Sequence, residues 1–204
     1  MELSELAQIR LIVLGVGLII AAFWAGGIVA GRRRQFHFAS LAQSLGCKAV
    51  REGQFLSRFA VAVDGRSFEV RYQHIGKGAG VGGWAPGWYV VTETTLKGVT
   101  DMHSAEIRPR ARRPRAVDPD DHDFGKYFAL RDAGYPLREG WLNHRTRGAI
   151  AHFYALALPL DPLVIEEARL IHRAHLPVRR LDAGSLREVL TRQAQVAAAL
   201  ENAL

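Results

Sequence analysis

From Leu11 to Ala30 the chain reads LIVLGVGLIIAAFWAGGIVA, twenty residues without a charge, closed at once by Arg32-Arg33-Arg34. At a helical rise of about 1.5 Å per residue this run covers roughly 30 Å, the thickness of a bilayer's hydrocarbon core. A helix that is apolar on every side has no polar stripe to turn toward water, which argues against a core helix of a soluble protein. A cleaved secretory signal fits no better. The start, MELSELAQIR, carries Glu2 and Glu5 against Arg10, and the apolar run is longer than a signal core. The expectation is one transmembrane helix over residues 11–31.

Basic residues resist translocation, so the flank richer in Lys and Arg stays in the cytoplasm. Arg10 alone precedes the run, whereas Arg32, Arg33, Arg34 and then Lys48 follow it. This places residues 1–10 outside as a short tail and everything after the run in the cytoplasm, at a bacterial-type inner (plasma) membrane. An extracytoplasmic enzyme or receptor is excluded on that orientation.

The whole chain carries 27 Lys and Arg against 20 Asp and Glu, a net charge of +7. The part beyond residue 30 is one charge more basic, because Glu2 and Glu5 outnumber Arg10. That sign suits anionic lipid and nucleic acid equally, so charge alone names no partner. Cys47 is the single cysteine, which excludes an internal disulfide and a cysteine-based zinc site.

Residues 32–107 read as a juxtamembrane helix followed by an antiparallel sheet. Phe38, Leu41, Ala42 and Leu45 recur at helical spacing before Gly46. Two β-rich runs, 59–63 and 67–72, flank Asp64-Gly65, the hairpin signal of a turn with positive φ at both central residues. Residues 88–96 read as a third strand and 102–107 as a fourth. Residues 108–123, RPRARRPRAVDPDDHD, cannot bury a core and read as a loop or linker.

Residues 124–204 read as an α/β part of the same domain. The pattern predicts strands at 124–130, 153–158 and 177–181 and helices at 141–151 and 161–174. A final amphipathic helix starts at a capping box, Ser185 to Glu188, and presents Leu186, Val189, Leu190, Ala197 and Leu200 on one face. The expected fold is therefore α+β: one N-terminal transmembrane helix, then a cytoplasmic domain with a small antiparallel sheet and several amphipathic helices.

Motifs that would carry chemistry fail on context. Gly78 to Gly83 holds the letters G-x-G-x-x-G, but Trp84-Ala-Pro-Gly follows instead of a helix, and the preceding strand belongs to a hairpin. No phosphate-loop lysine and no G-x-S-x-G elbow occurs. His172 and His175 lie three apart on a predicted helix, without H-E-x-x-H or a third ligand. No catalytic residue, metal or cofactor is expected.

Three groups of residues remain as binding candidates. Arg108, Arg110, Arg112, Arg113 and Arg115, with Trp84 and Trp88, suit contact with anionic lipid or with a protein partner. Arg32, Arg33 and Arg34 form the membrane flank. Small residues line the span every four positions, Gly17, Ala21 and Ala25 beside Ala22, Gly26 and Ala30, with Gly27 and Gly31 alongside, and such ridges let a second helix approach. The function expected is that of a membrane-anchored binding, scaffold or accessory-subunit protein, with another membrane protein or a second copy as partner. One alternative is a membrane-tethered enzyme acting on a lipid or anionic cytoplasmic substrate, with His144, His152, His172 or His175 as acid–base groups. A second is a nucleic-acid-binding membrane tether, which is disfavoured because no recognition helix or aromatic sheet motif accompanies the arginines.

Overall fold

The uncharged run lies within a single helix, α1, spanning Glu5–Ser44. The structure is a computed structural model that describes residues 5–53, 56–75, 87–98, 105–110, 124–132, 139–156, 161–175 and 178–203. The chain divides into two units, Met1–His37 and Phe38–Leu204. In the first unit Ile12, Leu18, Phe23 and Trp24 are all exposed, and no side chain of the apolar window is buried. α1 is thus long and apolar enough to cross a membrane. Its last turns, from Phe38 on, belong to the second unit and form the amphipathic helix expected there, continuous with the apolar run.

The second unit is built on one eight-stranded sheet. The strands are β1 (Val50–Arg51), β2 (Leu56–Val63), β3 (Arg66–Ile75), β4 (Gly87–Thr95), β5 (Ala105–Pro109), β6 (Phe128–Asp132), β7 (Leu163–Glu166) and β8 (Arg169–Ala174). Their order is β1-β2-β3-β4-β8-β7-β5-β6, and every pairing is antiparallel. The α+β class holds, and the sheet is larger than expected because β8 docks on β4 and adds four strands from beyond residue 98. The β2–β3 turn forms as predicted, with Asp64 at φ 52° and Gly65 at φ 73°.

Helices cover one face. These are α2 (Phe124–Tyr127), α3 (His144–Tyr154) and α4 (Ala183–Glu201), together with the end of α1. One apolar cluster joins Ile150 and Phe153 of α3 and Val196 and Leu200 of α4 to Ile107, Leu163, Ile165 and Leu170 of the sheet. A second joins Phe38 and Leu41 of α1 and Leu186 and Leu190 of α4 to Phe59, Phe68, Val70 and Tyr72. The other face holds a smaller group, Ile75, Tyr89, Val91 and Ile171. Beside it, Arg71 pairs with Glu93, and Arg169 reaches the same carboxylate at 2.9 Å.

Several local expectations are overturned. Residues 161–174 form β7 and β8 around a turn at Glu167 and Ala168, with φ 49° and 58°, instead of a helix. Glu166, Glu167 and Ala168 favour helix locally, yet pairing of β8 with β4 satisfies the backbone and outweighs that propensity. Phe153 and Tyr154 end α3 where a strand was expected, and Val178–Arg180 is a 3₁₀ turn. The strand expected at 124–130 begins only at Phe128, after the short α2. The cap of α4 is Asp182, whose Oδ1 accepts the Ser185 N–H at 2.8 Å, in place of Ser185 itself.

Candidate functional site

In the first unit the residues singled out by sequence sit along α1. Gly17, Ala21, Ala22, Ala25, Gly26 and Gly27 are exposed, and Ala30 and Gly31 are half-buried. A methyl group added at Gly17, Gly26, Gly27 or Gly31 would meet nothing within 4 Å. Arg32 and Arg33 are exposed and Arg34 is half-buried.

In the second unit the antiparallel register defines two rims of the sheet. At one rim β3 ends and β4 begins, with Ile75 opposite Gly87. The first residue of β2, Leu56, lies opposite Gln73 there; β8 ends there at Ala174, and Pro109 of β5 lies opposite Phe128 of β6. The opposite rim carries the Asp64-Gly65 and Glu167-Ala168 turns. Phe38, where the chain joins the domain, packs on Phe59 and Tyr72 at ring-centroid distances of 5.1 and 5.8 Å. Tyr72 lies one residue from the Leu56–Gln73 pair, so the chain enters close to the first rim, called here the entry rim.

The sequence candidates that fall among the described residues gather at this entry rim. Trp88 is a half-buried strand residue, stacked on Tyr72 at 4.8 Å and edge-on to exposed His74 at 5.4 Å. It is thus one end of an aromatic ladder anchored on Phe38. Arg108 is half-buried and bonded to Glu106 at 2.6 Å. Arg110 is exposed, and its backbone N–H donates to the Tyr127 carbonyl. Trp84, Arg112, Arg113, Arg115 and the glycine run 78–83 lie outside the described residues.

Two arginines that sequence reasoning passed over join them. The 3₁₀ turn Val178–Arg180 follows β8 closely, tucks Val178 into the same core as Ala174, and leaves Arg179 and Arg180 exposed. Among the described residues no carboxylate pairs with Arg110, Arg179 or Arg180. Three acidic groups described at this rim each have an internal partner. Glu52 bonds Arg58 at 2.6 Å, Asp161 accepts the His175 backbone N–H at 2.6 Å, and Asp182 caps α4.

The histidines do not converge. His172 lies on β8, on the helix-covered face, 2% exposed, edge-on to Phe153 at 5.1 Å. His175 stacks on Tyr89 of the other face at 4.9 Å, over Gly87, where a Cβ would stand 2.5 Å from its Nε2. An odd spacing of three on a strand sends the two side chains to opposite faces, whereas a helix would have aligned them. The predicted helix under these two histidines is therefore corrected: His172 is buried on β8, and His175, just past its end, is exposed. His152 is exposed and bonds Gln195, and His144 opens α3.

Burial pushes His172 down to about 3, holding the ring neutral. Its Nε2 has no hydrogen-bond partner, and it lines a cavity of about 10 Å³ with Val90, Thr92, Ala174, Leu181, Leu186 and Val189. That volume is about one water molecule, far below a metabolite. Next to it Thr92 donates to Gln193 Oε1 at 2.6 Å, and Gln193 Nε2 donates to the carbonyls of Leu170 at 2.9 Å and Thr92 at 3.2 Å. This polar bridge ties α4 to β4 and β8. Tyr154 plays a similar role, donating to the Ile107 carbonyl at 2.6 Å and accepting the Leu163 N–H at 2.8 Å, and burial raises its hydroxyl well above the usual range. On the other face, burial raises Asp161 and, with Asp161 nearby, also raises Tyr89. Among the described residues no group of three His, Cys, Asp or Glu side chains is placed to hold a metal ion.

The geometry therefore defines a membrane-span-sized helix joined to an α+β domain in which exposed Arg110, Arg179 and Arg180 share one rim with half-buried Trp88. No protein family, curated protein or solved structure matches the chain.

Proposed function

We propose that the chain is a single-pass protein of a bacterial-type inner membrane, N-terminus outside, whose cytoplasmic domain acts by binding, as a scaffold or accessory subunit of a membrane complex. One observation carries this reading: α1 exposes its large apolar side chains on every side, with Phe23 at 80% and Trp24 at 73%. At about 2 kcal/mol for each such side chain, water would be a far poorer solvent for this surface than lipid. The triple arginine at its C-terminal end supports the orientation. The small-residue lines Gly17-Ala21-Ala25 and Ala22-Gly26-Ala30 support a partner helix, since close packing drives association in lipid. The separation of His172 and His175 to opposite faces favours binding over acid–base catalysis.

The test is purification of the full chain from mildly solubilised membranes. The expected result is a stoichiometric membrane partner or a dimer that Gly26→Leu weakens, with the chain resisting alkaline extraction. A lone monomer that co-purifies with nothing overturns the scaffold reading. A reporter fused after Leu204 that is active only in the periplasm overturns the orientation.

A further inference from the structure

We propose that the entry rim of the sheet rests on the anionic lipid headgroups of the membrane that α1 crosses; this rests on the reading of α1 as a span and names what the domain touches there. The chain arrives at this rim. Phe38, packed on Phe59 and Tyr72, lies eight residues beyond Ala30, about 12 Å of helix. A bilayer's headgroup layer extends roughly 5–8 Å beyond its hydrocarbon on each side. The link from the apolar run to the domain is therefore only a few ångströms longer than the headgroup layer is thick.

What the rim presents there suits that surface. Arg110, Arg179 and Arg180 are exposed, His74 is exposed, and Trp88 is half-buried with its ring braced on Tyr72. Among the described residues of this rim, exposed Arg58, Arg110, Arg179 and Arg180 outnumber Glu52, Asp161 and Asp182, which keep their charge while bonding Arg58, the His175 N–H and the start of α4, so their summed charge is positive. The opposite rim is mixed, with exposed Asp64 and Glu167 beside Arg66, Lys97 and Arg169. Arginine with interfacial tryptophan is the chemistry of an anionic bilayer surface. Nucleic acid would answer the same arginines, but it would not explain why they share the rim at which the chain enters from the span.

The experiment uses the full chain, reconstituted in vesicles of phosphatidylcholine alone or of a phosphatidylglycerol-rich mixture, with a nitroxide on the lipid headgroup. In a Cys47→Ser background, His74→Cys places a fluorophore at the entry rim and Asp64→Cys places one at the opposite rim. The expected result is stronger quenching at position 74 than at 64 in the anionic vesicles. Raised salt should diminish the difference, as should Arg110→Glu with Arg179→Glu and Arg180→Glu. At about fivefold for each arginine near an anionic surface, losing three positive charges lowers the docked-to-undocked ratio on the order of a hundredfold, and reversing them to Glu lowers it further. The salt titration needs no substitution, so it reads the charge dependence even if the triple variant folds poorly. Equal quenching at both positions, or stronger quenching at 64, in a chain that resists alkaline extraction overturns the rim proposal alone. Release by alkaline extraction overturns the span, and the rim proposal with it. Charge-dependent capture of an RNA oligonucleotide without a difference between the labels overturns it in favour of nucleic acid.

Discussion

Helices α1 and α4 are both rich in Ala, Leu and Val, yet they meet opposite surroundings. Along α1, from Ile12 to Val29, the apolar side chains point outward on all sides. α4 buries Leu186, Val189, Leu190, Val196, Ala197 and Leu200 against the sheet and keeps Arg187, Glu188 and Gln195 in water. The difference lies in where the polar residues fall. A stripe of them every three to four residues lets a helix share its surface between core and water, and without such a stripe lipid is the matching solvent. α1 itself passes from exposed to buried apolar side chains at Phe38, which is 0% exposed although Phe36 is 73% exposed.

That crossing is the first place to break the comparison. Phe38→Ala removes a fully buried ring from between Phe59 and Tyr72 and should destabilise the domain by about 3–5 kcal/mol, leaving membrane retention intact. Denaturant unfolding in detergent, followed by near-UV circular dichroism, reads the first, and alkaline extraction reads the second. Leu18→Arg should do the reverse. It should cost about 3 kcal/mol of insertion, visible as chain released by alkaline treatment, while Gln195→Arg on the exposed side of α4 should shift stability by less than about 0.5 kcal/mol.

A pH change should also act on one region only. His172 is held near 3 when folded and returns to its ordinary range near 6.5 when unfolded. The unfolded chain therefore binds the extra proton between those values, and stability falls as pH drops through that window. Between pH 7 and pH 5 the loss should be about 2 kcal/mol relative to a His172→Leu variant. The run 11–31 contains no titratable side chain, so its retention should not move. A smaller effect than that of His172 is expected at the C-terminal end of α4. Burial pushes the Glu201 carboxyl up, but hydrogen bonds from Arg66 and the Lys97 N–H outweigh it and leave it below its ordinary range. Glu201→Gln should cost about 1 kcal/mol at neutral pH, a difference that shrinks as the pH falls below the ordinary carboxylate range. Thermal unfolding at pH 7 and pH 4 checks it.

Much of the fold was legible where the signal is local. The uncharged run, the Asp64-Gly65 turn, the strand at 88–96 and the buried face of α4 all follow from periodicity within a dozen residues. β7 and β8 did not, because Leu163, Ile165, Leu170 and Ile171 fit a helical as well as a strand pattern, and Glu167-Ala168 tilted the balance locally. Only their pairing with β4 and β5 settles it. The candidate site divides in the same way. Trp88 and Arg110 stood out as residue types, whereas Arg179 and Arg180 lay unremarked inside the strand expected at 177–181, about 70 residues beyond Arg110. They join the others because β8 lies beside β4.

By itself the sequence determined that one segment suits lipid, that a basic flank follows it, and that an α+β domain comes after. Each is a property of residues close together in the chain, where solvation and turn geometry act directly. Tertiary structure alone decided that His172 and His175 part to opposite faces, and that Trp88, Arg110, Arg179 and Arg180 share the rim where Phe38 enters. Those outcomes depend on which distant strands satisfy each other's backbone hydrogen bonds, and no local pattern encodes that choice.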